Sequence, residues 1–147
     1  MLGNPAVLPL REEGLLPMCT ILFVSHDADL RAVVARVFGK NGWHVALAAH
    51  AGHASLACMD RQDFDVIVIE DQMPEAPGAT IADRLRRYCR DAQVVRMCDA
   101  ETPARSGEKG IRLVRPFNAD QLIGAVVDAA TAKAVVTRKK SAGVSAG

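Results

Sequence analysis

This chain of 147 residues has no long apolar run and almost no excess of charge. Its apolar stretches last only a few residues, whereas a helix needs about 20 to cross a bilayer. No basic residues precede an apolar segment near Met1, so we expect no secretory signal. A net charge of +1 gives no general attraction to nucleic acid or to an anionic membrane. We therefore predict a cytoplasmic protein that binds neither.

Paired cysteines and the common catalytic motifs are also missing. Cys19, Cys58, Cys89 and Cys98 show neither a CxxC pair nor zinc-ligand spacing, so we expect reduced thiols that behave as small buried hydrophobes. The sequence contains no Gly-rich phosphate loop, no GxSxG and no HExxH. Nothing in it argues independently for an enzyme, and we predict a non-enzymatic protein without a cofactor.

Short apolar segments alternate with helical patterns along most of the chain. The segments that fit strands are 20–24, 43–47, 66–69, 94–97 and 111–114. Between them, apolar residues recur at helical spacing, as in Leu30, Val34 and Phe38. This alternation predicts an α/β fold with right-handed parallel βαβ units and helices on both faces of a doubly wound sheet.

The domain organisation follows from the same pattern. We predict a loose extension over residues 1–17, one domain over 18–134, and a disordered tail of basic and small residues over 135–147. The basic run at residues 138–140 is expected to solvate this tail. The chain ends soon after the last predicted helix, so we expect no output domain.

Functional side chains are expected beyond the carboxyl ends of the strands, where open α/β sheets bind ligands. The third strand is apolar throughout and leads directly into Glu70, with Met73 and Pro74 close behind. Other polar or reactive residues follow the first, fourth and fifth strands. The residues predicted to share this crevice are Ser25, His26, Asp27, Glu70, Asp71, Cys98 and Arg115.

Four segments, in this order, resemble the response-regulator receiver family of two-component signalling. They are 21–31, 64–78, 94–98 and Arg115-Pro116-Phe117. The resemblance covers about Cys19 to Ala130 and implies a flavodoxin-like (βα)5 fold with a five-stranded parallel sheet. It also implies a role in signalling or a phosphorelay, through contacts with other proteins.

The resemblance fails at each position that carries the family's chemistry. Family members hold Mg²⁺ with two acidic residues and a phosphoacceptor Asp, and meet the phosphoryl oxygens with a Thr or Ser hydroxyl and a Lys amine. Here the acidic pair falls on Ser25 and His26, the acceptor on Glu70, the hydroxyl on Cys98 and the amine on Arg115. We therefore predict a degenerate phosphoacceptor pocket, weak or lost Mg²⁺ binding, and a Glu70–Arg115 ion pair.

Neighbouring acids do not restore the pattern. The family places Pro four residues after the acceptor, and Pro74 lies four after Glu70, not after Asp71. Asp27 lies one residue beyond the metal-ligand positions, so we expect it to point elsewhere. The 17 positions from Cys98 to Arg115 are about five fewer than the family has, roughly one and a half helical turns, so we predict a short or absent fourth helix.

The leading hypothesis is a pseudo-receiver that acts by phosphorylation-independent protein–protein contact. Its partner would be a histidine kinase, another regulator or a second copy of itself. One alternative is a regulator that is still phosphorylated, on Asp71. Another is a redox or ligand sensor that uses His26, Cys98 and Arg115. The His50 and His53 pair is interpreted as part of a solvated loop and not as a metal site.

Overall fold

The computed structural model describes residues 18–101 and 110–146, with side chains through residue 133. These residues form five strands and four helices. In chain order they are β1 (Thr20–Val24), α1 (Ala28–Lys40), β2 (His44–Ala48), α2 (Ala51–Asp60), β3 (Val66–Glu70), α3 (Gly78–Leu85), β4 (Gln93–Cys98), β5 (Ile111–Val114) and α4 (Ala119–Ala146). No helix in this described part is long and apolar enough to cross a membrane.

The strands form one parallel sheet in the order β2-β1-β3-β4-β5. This confirms the predicted doubly wound, flavodoxin-like architecture. The direction of winding changes between β1 and β3, which leaves a crevice at their carboxyl ends. Val24 pairs with Ile69 there, and Glu70 pairs with Met97 of β4. The predicted site residues therefore follow strands that end at the same edge of the sheet.

The core has two layers, one on each face of the sheet. Phe23 and Val68 pack towards α1 and α4, whereas Leu22, Ile67 and Ile69 pack towards α2 and α3. Because both faces of β1 and β3 are covered, these strands are continuously apolar and do not alternate. Burial of each such aliphatic side chain contributes about 1.5–3 kcal/mol to the free energy of folding. The two strands that lead into the site are therefore stably held.

The last helix differs from its prediction. The sequence predicts a disordered tail over 135–147, but α4 continues to Ala146. No proline interrupts this segment, so a helix that has already formed can continue through it. The domain boundary at 134 stays a prediction. The predicted extension over 1–17 lies outside the described residues, and so do residues 102–109, where a short or absent fourth helix was predicted.

Candidate functional site

Glu70 is a charged residue at the end of a fully buried strand. All five residues of β3 are buried, and only 4% of Glu70 is exposed. An ionised carboxylate loses most of its hydration in such a position, so it needs hydrogen-bond donors or a cation beside it. The structure supplies both, from β1, β5 and the loops that follow them.

Both carboxylate oxygens of Glu70 are engaged. The Ser25 hydroxyl donates to Oε2 at 2.5 Å, and the backbone N–H of His26 lies 3.3 Å from the same oxygen. The His26 Nδ1 atom is 3.1 Å from Oε2. On the other side, Nη2 of Arg115 donates to Oε1 at 2.5 Å, which forms the predicted ion pair. Three donor groups thus surround the carboxylate, with the His26 ring beside them, and charge-assisted bonds of this kind are strong.

Asp27 serves helix α1 and not the pocket. Its Oδ1 accepts a hydrogen bond from the backbone N–H of Leu30 at 3.1 Å, as an N-cap residue does. Its own N–H donates to Ser25 Oγ at 3.1 Å. Nearby, Arg31 donates from Nη1 to the Ser25 carbonyl at 2.7 Å. The turn that carries Ser25 and His26 is therefore fixed from both sides.

Asp71 pairs with a residue that the sequence analysis did not identify. Nη1 of Arg96, on β4, donates to Asp71 Oδ1 at 2.8 Å, and the side chains are only 4% and 13% exposed. One signal could have revealed this pair. Arg96 is the only charged residue in the apolar strand β4, and a buried cation needs an acidic partner close to it.

The Cys98 thiol bonds within its own strand and not to the Glu70 carboxylate. It is buried and donates to the Arg96 carbonyl at 3.4 Å. The Cys98 carbonyl instead accepts from the backbone N–H of Arg115 at 2.8 Å. The structure thus brings Ser25, His26, Glu70 and Arg115 together, while Asp27, Asp71 and Cys98 bond to other groups.

The loop after β3 folds back onto Glu70. Asp71 donates its N–H to the Met97 carbonyl at 2.8 Å, and the Gly78 N–H donates to the Asp71 carbonyl at 2.7 Å. A Cβ atom on Gly78 would lie 2.2 Å from the Glu70 carbonyl oxygen, so this position has no room for a side chain. The loop and the start of α3 hold the end of β3 by their backbones.

Residues 21–127 match the model of the response regulator receiver domain. This match spans most of the chain. The chain belongs to the response regulator receiver family.

Individual relatives agree with this assignment. The chain is 26% identical to the chemotaxis protein CheY of Bacillus subtilis over 113 residues, which cover 72% of the chain and 92% of that protein. It is 30% identical over 119 residues to the transcriptional regulatory protein TcrA of Mycobacterium tuberculosis, covering 78% of the chain but 47% of TcrA. The chain thus spans about half of this second relative.

The fold matches solved receiver domains as well. A response regulator receiver domain from Clostridium thermocellum superposes with a TM-score of 0.72 at 16% identity, over 80% of this chain and 98% of that one. At this identity the likeness concerns the fold. Receiver domains act as signalling modules, and the chain therefore has the architecture of two-component signalling.

The receiver fold raises the question of Mg²⁺, and these residues do not fit it. A Mg²⁺ ion is bound through carboxylate oxygens with several waters. Here Ser25 and His26 follow β1 in place of acids, and both oxygens of Glu70 are taken up by protein donors. Within the described residues, no group of three His, Cys, Asp or Glu side chains could hold a metal ion. His50 instead caps α2, with Nδ1 accepting from the His53 N–H at 3.2 Å.

Proposed function

We propose that this receiver domain is a pseudo-receiver, which signals by binding other proteins without being phosphorylated. It is not an enzyme in this proposal, and it works in the cytoplasm with a histidine kinase, another regulator or a second copy as its partner. Mg²⁺ binds weakly or not at all, since the pocket offers no pair of free carboxylates.

One observation carries the proposal: the Glu70 carboxylate is bound to the donor groups that would otherwise bind a phosphoryl group. Ser25, His26 and Arg115 are the donors that would otherwise be available to an incoming anion, and they are bound to Glu70. The side chain of Glu is one methylene longer than that of Asp, which lets it reach Arg115 directly. The pocket therefore holds one arrangement, which partly resembles a phosphorylated receiver and needs no phosphodonor.

The two alternatives have less support from the geometry. Asp71 is half of a buried ion pair with Arg96, so its carboxylate is not free to attack a phosphodonor. Cys98 is 1% exposed and its thiol bonds to a backbone carbonyl, so an oxidant has little access to it. Both remain testable beside the main proposal, because each depends on a different residue.

The deciding experiment is the intact mass of the protein after incubation with Mg²⁺ and acetyl phosphate. We expect no phosphoryl adduct on the wild type, since Asp71, the alternative acceptor, is paired with Arg96. The matched variants are Glu70→Asp, which restores the acceptor type, and Asp71→Asn, which removes the alternative acceptor. A phosphoryl adduct on the wild type that disappears in Asp71→Asn contradicts the proposal and establishes a conventional switch on Asp71.

A further inference from the structure

A second surface lies apart from the pocket, on the outer side of α2 and α3. Both helices pack against the same face of the sheet and contact each other, so they are neighbours on the outside of the molecule. We name it the α2–α3 surface. It comprises Leu56, Met59, Arg84, Arg87, Tyr88 and Arg90.

The basic half of this surface concentrates positive charge in a short segment. Residues 83–90 contain four arginines and one aspartate, a local net charge of +3, although the whole chain carries +1. Arg84, Arg87 and Arg90 are exposed and have no ion-pair partner among the described residues. By contrast, Arg61 nearby is held by Asp63 at 2.8 Å. The three free guanidinium groups are available to an acidic partner.

The other half of the surface is aliphatic. Leu56 is 63% exposed and Met59 is 53% exposed, and they lie three positions apart on α2, which places them on one side of the helix. Tyr88 is 38% exposed in the turn after α3. A scattered leucine on a surface is ordinary, but exposed Leu, Met and Tyr on neighbouring elements that also carry free arginines have the composition of a protein interface.

We propose that the α2–α3 surface docks an acidic amphipathic helix of another protein. Its acidic side chains would pair with Arg84, Arg87 and Arg90, and its apolar side would cover Leu56 and Met59. A protein helix fits better than a nucleic acid, because single strands are bound by stacking on aromatic rings and this surface has one tyrosine. The inference goes beyond the proposed function and does not depend on the state of the Glu70 pocket.

The test measures binding of a labelled synthetic helix, with leucine on one side and glutamate on the other, to the full chain by fluorescence anisotropy. We expect binding that weakens at high salt. Charge reversal in Arg84→Glu/Arg87→Glu should weaken it by about tenfold or more, since two charged contacts turn repulsive. Leu56→Ser/Met59→Ser should weaken it several-fold. The matched controls are Arg36→Glu/Lys40→Glu and Val33→Ser, which make the same changes at exposed positions of α1.

The proposal is supported if both α2–α3 variants lose affinity while the α1 controls bind as the wild type does. It is overturned if the acidic helix does not bind, or if the α1 controls weaken binding equally. It is also overturned if polyuridylate or vesicles of phosphatidylserine displace the labelled helix completely and Leu56→Ser/Met59→Ser leaves the affinity for the helix unchanged. That result would mean that the surface binds anions in general.

Discussion

Arg96 and Asp71 form the most deeply buried ion pair of the described residues, and their burial sets what each contributes. Removing charges from water costs free energy that the pair only partly recovers, so the pair as a whole adds little stability. Its role is to fix geometry. Arg96 holds the residue next to Glu70 in place and keeps Asp71 from acting as a second acceptor.

The variant Arg96→Met tests this pair at the residue scale. It leaves Asp71 buried without its ion-pair partner, so we expect a loss of about 3–5 kcal/mol in the free energy of unfolding, measured by urea denaturation. The double variant Arg96→Met/Asp71→Asn should recover much of the loss, because it removes both charges. The control Arg61→Met breaks an exposed pair and should change stability little. Equal losses in Arg96→Met and Arg61→Met would contradict this account.

The residues at the site were predictable to different degrees. Glu70 follows from the uninterrupted apolar strand before it and from Pro74 after it, and Arg115 follows from the Pro-Phe dipeptide beside it. The Arg96–Asp71 pair was missed, because its partners lie 25 positions apart and only the β3–β4 register brings them together. Long-range pairing of this kind depends on the sheet register, which local patterns in the sequence do not specify.

At the scale of elements, the start of α3 is what holds the end of β3. The first residue of this helix, Gly78, donates its N–H to Asp71 and leaves no space between the two backbones. Helix α1 is positioned differently, by the Asp27 side chain at its N-terminus. The sequence predicts that Asp27 points away from the pocket. In the structure the Asp27 carboxylate accepts from a backbone N–H of α1, as the side chain of an N-cap residue does.

Two glycine variants distinguish a packed helix start from an open helix interior. In Gly78→Ala the new Cβ meets the Glu70 carbonyl oxygen at 2.2 Å, so the backbone must shift and stability must fall. In Gly124→Ala on α4 nothing lies within 4 Å of the new Cβ, and we expect a gain of about 0.5–1 kcal/mol from helix propensity. Thermal denaturation of both variants provides the measurement. A stable Gly78→Ala protein would show that the loop after β3 is less tightly packed than described.

The end of α4 is a place where local sequence composition predicts the wrong state. The basic and small residues at 135–147 predict disorder, and the Val, Thr, Ser and Gly residues among them are weak helix formers. When a helix such as α4 is already anchored by packing at its start, here through Leu122 and Val126, extending it needs no new nucleation. Composition alone did not distinguish the two outcomes.

For the molecule as a whole, the four buried cysteines can serve as probes of unfolding, because their thiols become accessible only when the structure opens. Cys19 belongs to the layer with α1 and α4, and Cys58 and Cys89 belong to the layer with α2 and α3. Burial raises the pKa of Cys19 to about 12, helped by the charge of Asp65. Burial likewise raises the pKa of Cys58 to about 12, helped by the neighbouring Cys89. Both thiols therefore stay protonated and unreactive at neutral pH.

These raised values have a consequence for stability at alkaline pH. The unfolded chain loses the thiol protons near pH 9, whereas the folded protein keeps them until about pH 12. The unfolded state thus binds fewer protons in this interval, and stability must fall as the pH rises through it. We expect the urea midpoint to decrease above about pH 9 in the wild type and to decrease less in Cys19→Ala/Cys58→Ala, relative to each protein at pH 7.

Alkylation by iodoacetamide at pH 8 tests whether the molecule opens as one unit. Since all four thiols are buried in the same domain, we expect each molecule to carry either no label or four labels in intact mass spectra. Labelling should slow in Gly124→Ala and accelerate in Arg96→Met, in proportion to their stabilities. Rapid labelling of Cys98 alone in the folded protein would contradict this expectation of all-or-none labelling. It would mean that the crevice opens locally, and it would favour a redox sensor over the pseudo-receiver.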